Sequence, residues 1–228
     1  MRVLALSDIH GNLEALHSIA EPYDELWVLG DLVNYGPQPS EVIAFVRQYA
    51  SVVVSGNHDF AIATGSDPHC SPAFRGMARA MQQYTESILT EGERAYLRAL
   101  PRSVYREIDG KRFLLCHATP SDLFRYGPAE AAFWSQEAAA TDADILLVGH
   151  THLPFVLDLG SRRVVNPGSV GQPKHGRPEA CYAIWDEGEI TLRSCSYDVE
   201  ATVAKLLDLP IDPGIALQLA QVLRHAHG

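Results

Sequence analysis

Five short apolar runs, Val3–Leu6, Leu26–Leu29, Val52–Val54, Phe113–Leu115 and Ile145–Val148, each give way to a cluster of polar residues of one chemical kind. The clusters are Asp8-Ile9-His10, Gly30-Asp31, Gly56-Asn57-His58-Asp59, Cys116-His117 and Gly149-His150-Thr151-His152. Runs this short, rich in Val, Leu and Ile and cut off by small or polar residues, read as strands buried on both faces. Strands of that kind require helices packed over the sheets, which makes a layered α/β fold the expectation. In open α/β sheets ligands bind beyond the carboxyl ends of the strands, so these five clusters are expected to converge on one crevice.

The remaining pattern fills in the layers. Helices are expected at Leu13–Ala20 and Ser40–Tyr49, and another after Pro72, where Met77, Ala80, Met81 and Tyr84 recur at helical spacing. Thr90 with Glu93 forms a capping box for a further short helix. That pair reads as a small helical insertion, about residues 67–100, in a single domain spanning 1–228. Asp109-Gly110 between Val104–Ile108 and Lys111–Leu115 is a two-residue hairpin signal, because both turn residues tolerate positive φ. Beyond the fifth run, Phe155–Leu159, Arg163–Val165, Cys181–Trp185 and Glu189–Cys195 suggest strands, and Val199–Leu207 and Ile215–His225 helices. The order implies mixed sheets, with parallel and antiparallel pairs.

Composition narrows the function classes. The formal charge of 18 − 28 = −10 argues against a surface that grips extended nucleic acid through its phosphates. No apolar run approaches the roughly 20 residues that span a bilayer, so no membrane partner is expected. Cys70, Cys116, Cys181 and Cys195 show no C-x-x-C spacing and are expected to be reduced thiols. With an apolar stretch at Met1–Leu6 too short for a signal peptide, a cytoplasmic protein is the expectation. No heptad pattern speaks to oligomeric state.

Asp8 and His10 stand two residues apart, and His150 and His152 repeat that spacing; on extended backbone both members of a pair point to one face and can grip one ion. Glycines before Asp31, Asn57 and His150 allow the close backbone approach a crowded site requires. Imidazoles, carboxylates and one amide oxygen, without a thiolate, suit Mn, Fe, Zn or Ni; manganese is favoured. The candidates are too many for one tetrahedral ion, whereas two ions about 3.5–4 Å apart bridged by a carboxylate would use them all. Asp31 is the natural bridge. Two dications with two ligand aspartates and a hydroxide leave a net positive site inside an acidic protein, which suits a phosphate ester.

Together the blocks D-x-H, G-D, G-N-H-D, a single His and G-H-x-H, in that order, resemble the calcineurin-like metallophosphoesterases. The resemblance spans roughly Met1 to His175 and includes Asn166-Pro167-Gly168-Ser169-Val170-Gly171, a segment that follows the last ligand in bacterial members. It implies a four-layer α/β/β/α sandwich with a dimetal centre at its rim. Carried over residue by residue, it implies Asp8, His10, Asp31 and His152 on the first metal, and Asp31, Asn57, His117 and His150 on the second. His58 would then sit beside the scissile phosphate as a non-ligand, contacting substrate together with Asn57. The mechanism so implied is in-line attack of a metal-bridging hydroxide, with His58 protonating the leaving alkoxide.

Two departures from the family pattern direct the reading. The phosphatase branch carries G-D-x-V-D-R-G and an arginine before G-N-H, whereas this chain reads Gly30-Asp31-Leu32-Val33-Asn34-Tyr35-Gly36 and Ser55. Both arginine forks for a phosphomonoester dianion are missing. What remains resembles the small bacterial phosphodiesterase-like branch, acting on a small or nucleotide-like substrate. A phosphomonoesterase, protein phosphatase or dinucleoside polyphosphate hydrolase is the alternative, and a non-catalytic protein-binding scaffold a third, which the intact His58 argues against. Asn34 is expected to orient His58 by a hydrogen bond, and Asp59 either to orient it or to cap the backbone. Arg75, with Arg79, is a candidate substrate contact on the inserted helix, and Lys174, His175 and Arg177 form a basic loop near the metal segment. His69, His17, His225 and His227 lie outside the pattern and are expected to be solvated or locally bonded.

Overall fold

The computed structural model describes residues 1–227. All five motif-bearing runs are strands: β1 (Val3–Leu6), β2 (Glu25–Val28), β3 (Val52–Val53), β5 (Lys111–Cys116) and β6 (Ile145–Leu147). Strand β4 (Ser103–Ile108) reaches β5 through a turn in which Asp109 and Gly110 both have positive φ, 53° and 71°, and the two strands pair antiparallel with Ile108 opposite Lys111. The others are β7 (Phe155–Asp158), β8 (Arg163–Asn166), β9 (Glu179–Asp186) and β10 (Glu189–Ser196). They form two five-stranded mixed sheets, in the orders β10-β9-β1-β2-β3 and β4-β5-β6-β8-β7. The motif strands run parallel to their motif neighbours in each sheet, β1 with β2, β2 with β3, and β5 with β6, so their carboxyl ends emerge on the same side.

Alternation along the strands divides the core. Val3 and Ala5 of β1, Trp27 of β2, Phe113 and Leu115 of β5 and Trp185 of β9 fill the space between the sheets. Phe113 stacks edge-on against both Trp27 and Trp185, at 5.3 and 5.0 Å between ring centres. Each such side chain contributes roughly 1.5–3 kcal/mol on burial, and together they fix the spacing of the sheets and hence of the strand ends. Leu4, Leu6, Leu26 and Val28 face outward onto α1 (Leu13–Ser18) and α2 (Pro39–Tyr49). Leu114, Leu146 and Val164 face the opposite way, onto Trp134 and Ala138 of α6 (Ala131–Ala139). The result is an α/β/β/α sandwich. Two further helices, α6 and α3 (Asn57–Thr64), lie where the sequence pattern predicts none; α3 begins on Asn-His-Asp, residues that are weak helix formers.

Helix α4 (Arg75–Ile88) and helix α5 (Glu91–Ala99) lie between β3 and β4, and Thr90 and Glu93 bond reciprocally at the start of α5. The apolar stripe of α4 is packing: Met77 and Met81 bury against Val203 and Leu206 of α7 (Val199–Leu207) and Leu219 and Leu223 of α8 (Pro213–His225). Among the described residues all four cysteines are unpaired, and no helix is long and apolar enough to cross a membrane.

Candidate metal centre

The ligand candidates gather where the carboxyl ends of the two sheets meet, but not on extended backbone. Asp8, His10, Asp31, His150 and His152 all adopt the left-handed region, at φ of 53°, 47°, 54°, 67° and 60°. The expectation that extended pairs point to one face is corrected here: at each pair the left-handed turns aim the side chains. A non-glycine residue held there costs of order 1–3 kcal/mol, so the surroundings must over-determine it. Hydrogen bonds do so: Asp8 N donates to Gly30 O at 3.0 Å, His10 N to Asp31 O at 2.9 Å and Gly171 N to Asp8 O at 3.0 Å. The Gly30 and Gly56 loops cross so closely that a Cβ at Gly30 would collide with the Gly56 backbone, and one at Gly56 with the Asp31 carboxylate.

Asp8, His10 and His152 offer donor atoms within 4.8 Å of one another, and so do Asp8, Asp31 and His117. Asp8 Oδ1 lies 3.2 Å from His152 Nε2, and Asp31 Oδ2 lies between His117 Nε2 at 3.2 Å and His10 Nε2 at 3.6 Å. Asn57 Oδ1 is 3.0 Å from His117 Nε2 and 2.9 Å from His150 Nδ1, which brings the amide and the last imidazole to the His117 side. All these residues are buried except His150, which is partly so.

The donor set fits a cation. Nδ1 of His10, His117 and His152 faces the carbonyl oxygens of Val33, Leu29 and Gln172, at 2.9, 2.8 and 2.6 Å, and donating there leaves the three Nε2 lone pairs turned inward. His10 Nε2 and His152 Nε2 are only 3.1 Å apart, and the buried Asp8 Oδ1 beside them has no hydrogen-bond partner. Converging lone pairs and carboxylate oxygens repel one another unless positive charge lies among them. Without metal a proton supplies part of it: burial disfavours the charged ring of His117, yet Asp31 beside it overrides this and raises the pKa to about 10. Burial holds Nε2 of His10 and the ring of His150 neutral, each lowered to about 4, while Asp8 and Asp31, despite burial, are kept ionised by His152 and His117.

His58 is not part of the donor set. Its backbone N donates to Asp31 Oδ1 at 2.9 Å, and its Nδ1 accepts from Asn34 Nδ2 at 2.8 Å, which leaves Nε2 to carry the proton of the neutral ring. Burial lowers its pKa to about 3. Asp59 does not bond to His58; its carboxylate accepts from Asp31 N, Leu32 N and Gly56 N at 2.8, 2.9 and 3.0 Å. It therefore acts as a backbone clamp, because α3 turns it toward the crossing loops rather than the ring.

His58 opens into a cavity of about 520 Å³ that also exposes Asp31, Asn57, His150 and His152. Its walls were mostly illegible in the sequence: Tyr35, His69, Cys70, Phe74, Phe124, Tyr126 and Leu153 come from loops, where no periodicity marks a position. His69, expected to be solvated or locally bonded, is exposed and packs edge-on against Phe124 at 4.7 Å between ring centres. Arg75 and Arg79 line a different groove on the outer face of α4, opposite its buried stripe, so Arg75 is not in this cavity. Of the basic loop only Lys174 lines it; Arg177 turns to Glu179 at 3.6 Å and His175 lies against Cys181.

A family model, the calcineurin-like phosphoesterase superfamily domain, matches residues 1–189. An uncharacterized protein of Methanocaldococcus jannaschii is 27% identical, over 90% of this chain and 91% of its own. Phosphodiesterase YfcE of Escherichia coli K12 is 28% identical, over 84% of this chain and 91% of its own. The crystal structure of a metallophosphoesterase from Sphaerobacter thermophilus superposes with a TM-score of 0.81 at 32% identity, covering 96% of this chain and 98% of that one.

Proposed function

The chain belongs to the calcineurin-like phosphoesterase superfamily, and from that premise we propose that it is a phosphodiesterase acting on a small or nucleotide-like substrate. It is a metal-dependent phosphoesterase with a dinuclear site. The observation that carries the assignment is the convergence of inward-turned imidazole nitrogens on two buried aspartates beneath a single cavity. In the proposed arrangement Asp8, His10, Asp31 and His152 would hold one divalent ion, and Asp31, Asn57, His117 and His150 the other. Asp31 would serve both ions, and its Oδ2 between His10 Nε2 and His117 Nε2 supports that role. Manganese is the ion we favour; nitrogen and oxygen donors without a thiolate accept it alongside iron, zinc and nickel. Bound there, the ions would supply Lewis acidity and an activated water.

The chain's own groups do the rest. Asn34 holds His58 with its Nε2–H toward the cavity, where Cys70 Sγ lies 3.4 Å away and would give place to the leaving-group oxygen, and Asp31 Oδ1 anchors His58 through the backbone. Asp59 ties the Asp31 and Gly56 loops together so that bridge and donor keep their separation. No arginine lines the cavity among the described residues, which supports a diester monoanion over a monoester dianion. YfcE is a phosphodiesterase by name, which supports the same choice. The four unpaired cysteines support a cytoplasmic location.

The test is turnover of the Mn²⁺-reconstituted protein on bis(p-nitrophenyl) phosphate against p-nitrophenyl phosphate, with Asp31→Asn as the blank. The expected result is metal-dependent turnover with a preference for the diester. A monoester preference would overturn the phosphodiesterase reading, and no metal-dependent turnover on either would leave a scaffold.

A further inference from the structure

A phosphodiester brings two organic groups to the cavity, one that leaves and one that stays on phosphorus. His58 meets Tyr35 at 4.8 Å between ring centres and Cys70 Sγ at 3.4 Å, so in the reading above that wall serves the group that leaves. The group that stays has the wall at His150, which is Tyr126. Phe124 and the half-open Leu153, the residue after His152, line the same cavity.

Tyr126 stands apart from the other exposed tyrosines. It is 55% exposed, more than Tyr49 at 48% or Tyr105 at 40%. Tyr49 has the Phe45 ring at 4.7 Å and Tyr105 the Arg112 guanidinium at 4.5 Å, whereas Tyr126 has the His150 ring 6.1 Å away and tilted by 60°. An aromatic face left this open forgoes the stabilisation of burial, and a second ring laid on it restores that.

The ring is nevertheless held in place. Arg125, its neighbour, turns the other way, to Glu137 of α6 at 2.6 Å. That carboxylate is only 8% exposed and also accepts from Ser121 Oγ at 2.9 Å. Gly127 lies so close to Trp134 that a Cβ there would collide with the indole, whose Nε1 donates to Pro128 O at 2.8 Å. The segment is thus fastened to α6 at Ser121, Arg125 and Pro128 while Phe124 and Tyr126 line the cavity. A face fixed in this way binds without the ordering cost that a mobile loop adds.

Resting on the phosphodiesterase reading above, we infer that Tyr126 determines specificity by stacking on a planar aromatic ring carried by the ester group that stays on phosphorus. The ring is an aryl group on the ester oxygen itself or a base one ribose away. The segment that carries Tyr126 lies between the clusters at His117 and His150, outside every motif that holds a candidate ligand.

The experiment compares full-length, Mn²⁺-loaded wild type, Tyr126→Ala and Tyr126→Phe on four diesters with the same leaving group, p-nitrophenolate, and a different group that stays: methyl, cyclohexyl, phenyl or thymidine-5′-yl. The expected result is that Tyr126→Ala lowers kcat/KM for the phenyl ester, the thymidine ester or both about 5–150-fold more than for the methyl ester, the range of base–aromatic stacking. Tyr126→Phe, keeping the ring, retains most of the wild-type ratio. A loss confined to the phenyl ester supports a ring on the ester oxygen, and one confined to the thymidine ester supports a ring a ribose away. Equal losses on the four esters, no loss on any, a loss as large for cyclohexyl as for the aromatic esters, or a Phe variant as impaired as the Ala variant would each overturn the assignment. A wild type that hydrolyses none of the four, or only p-nitrophenyl phosphate, overturns the phosphodiesterase reading itself, and this assignment with it.

Discussion

His58 shows how much of a single residue's chemistry its surroundings set. Its neighbours in sequence mark it as exceptional, but its chemistry is set by contacts the motif does not contain: Asn34 fixes which nitrogen carries the proton, and burial keeps the ring neutral. In this state His58 would act, in the proposed function, as a hydrogen-bond donor rather than an imidazolium. His58→Ala should lower turnover by about 10²–10⁴-fold, most on poor leaving groups, with metal content by elemental analysis unchanged. A variant as active as wild type would remove His58 from the mechanism. The candidate ligands were legible because Asp, His and Asn recur at strand ends, and Lys174 because it stands in a basic loop near the last of them; Phe74, Phe124 and Tyr126 were not, because what they do depends on loops packed across the cavity. Arg75 shows the converse, a charge of the right sign on the wrong face of α4.

At the scale of elements, strands place the donors and strained loops aim them. Five ligand candidates in the left-handed region need an external restraint, and Asp59, from the first turn of α3, supplies one through three backbone N–H groups. Asp59→Ala would leave those buried donors unsatisfied, at about 1–3 kcal/mol each before relaxation. We expect a lower urea midpoint for the metal-free variant together with weaker metal binding by calorimetry. A loss of activity with both quantities unchanged would instead mean that Asp59 acts on the chemistry. The sequence left Asp59 between orienting His58 and capping, because α3 was not legible, and without the helix the direction of the side chain is undetermined.

For the whole molecule, the sandwich holds anionic and lone-pair donors from both sheets against each other, so metal and stability are coupled. Coordination requires the His117 proton to leave. With its pKa raised to about 10 from an ordinary 6.5, metal binding near pH 8 should release about one proton from this ring, seen calorimetrically in buffers of different ionisation enthalpy. In the metal-free protein the stabilisation from that proton is complete below pH 6.5 and is lost as pH rises through about 10. Chelation should therefore lower Tm, and the gap between loaded and metal-free protein should widen from pH 7 to 10; a pH-independent gap would contradict the assignment of that proton. The sequence by itself determined the strands, the hairpin, the layered class and which residue types collect at the site, since these follow from alternation, turn chemistry and order along the chain. Only the tertiary structure decided that the ligand pairs turn left-handed, that Asp59 clamps backbone and that Tyr126 stands in the cavity wall. Each of those depends on which loops pack together once the aromatic core has fixed the distance between the sheets.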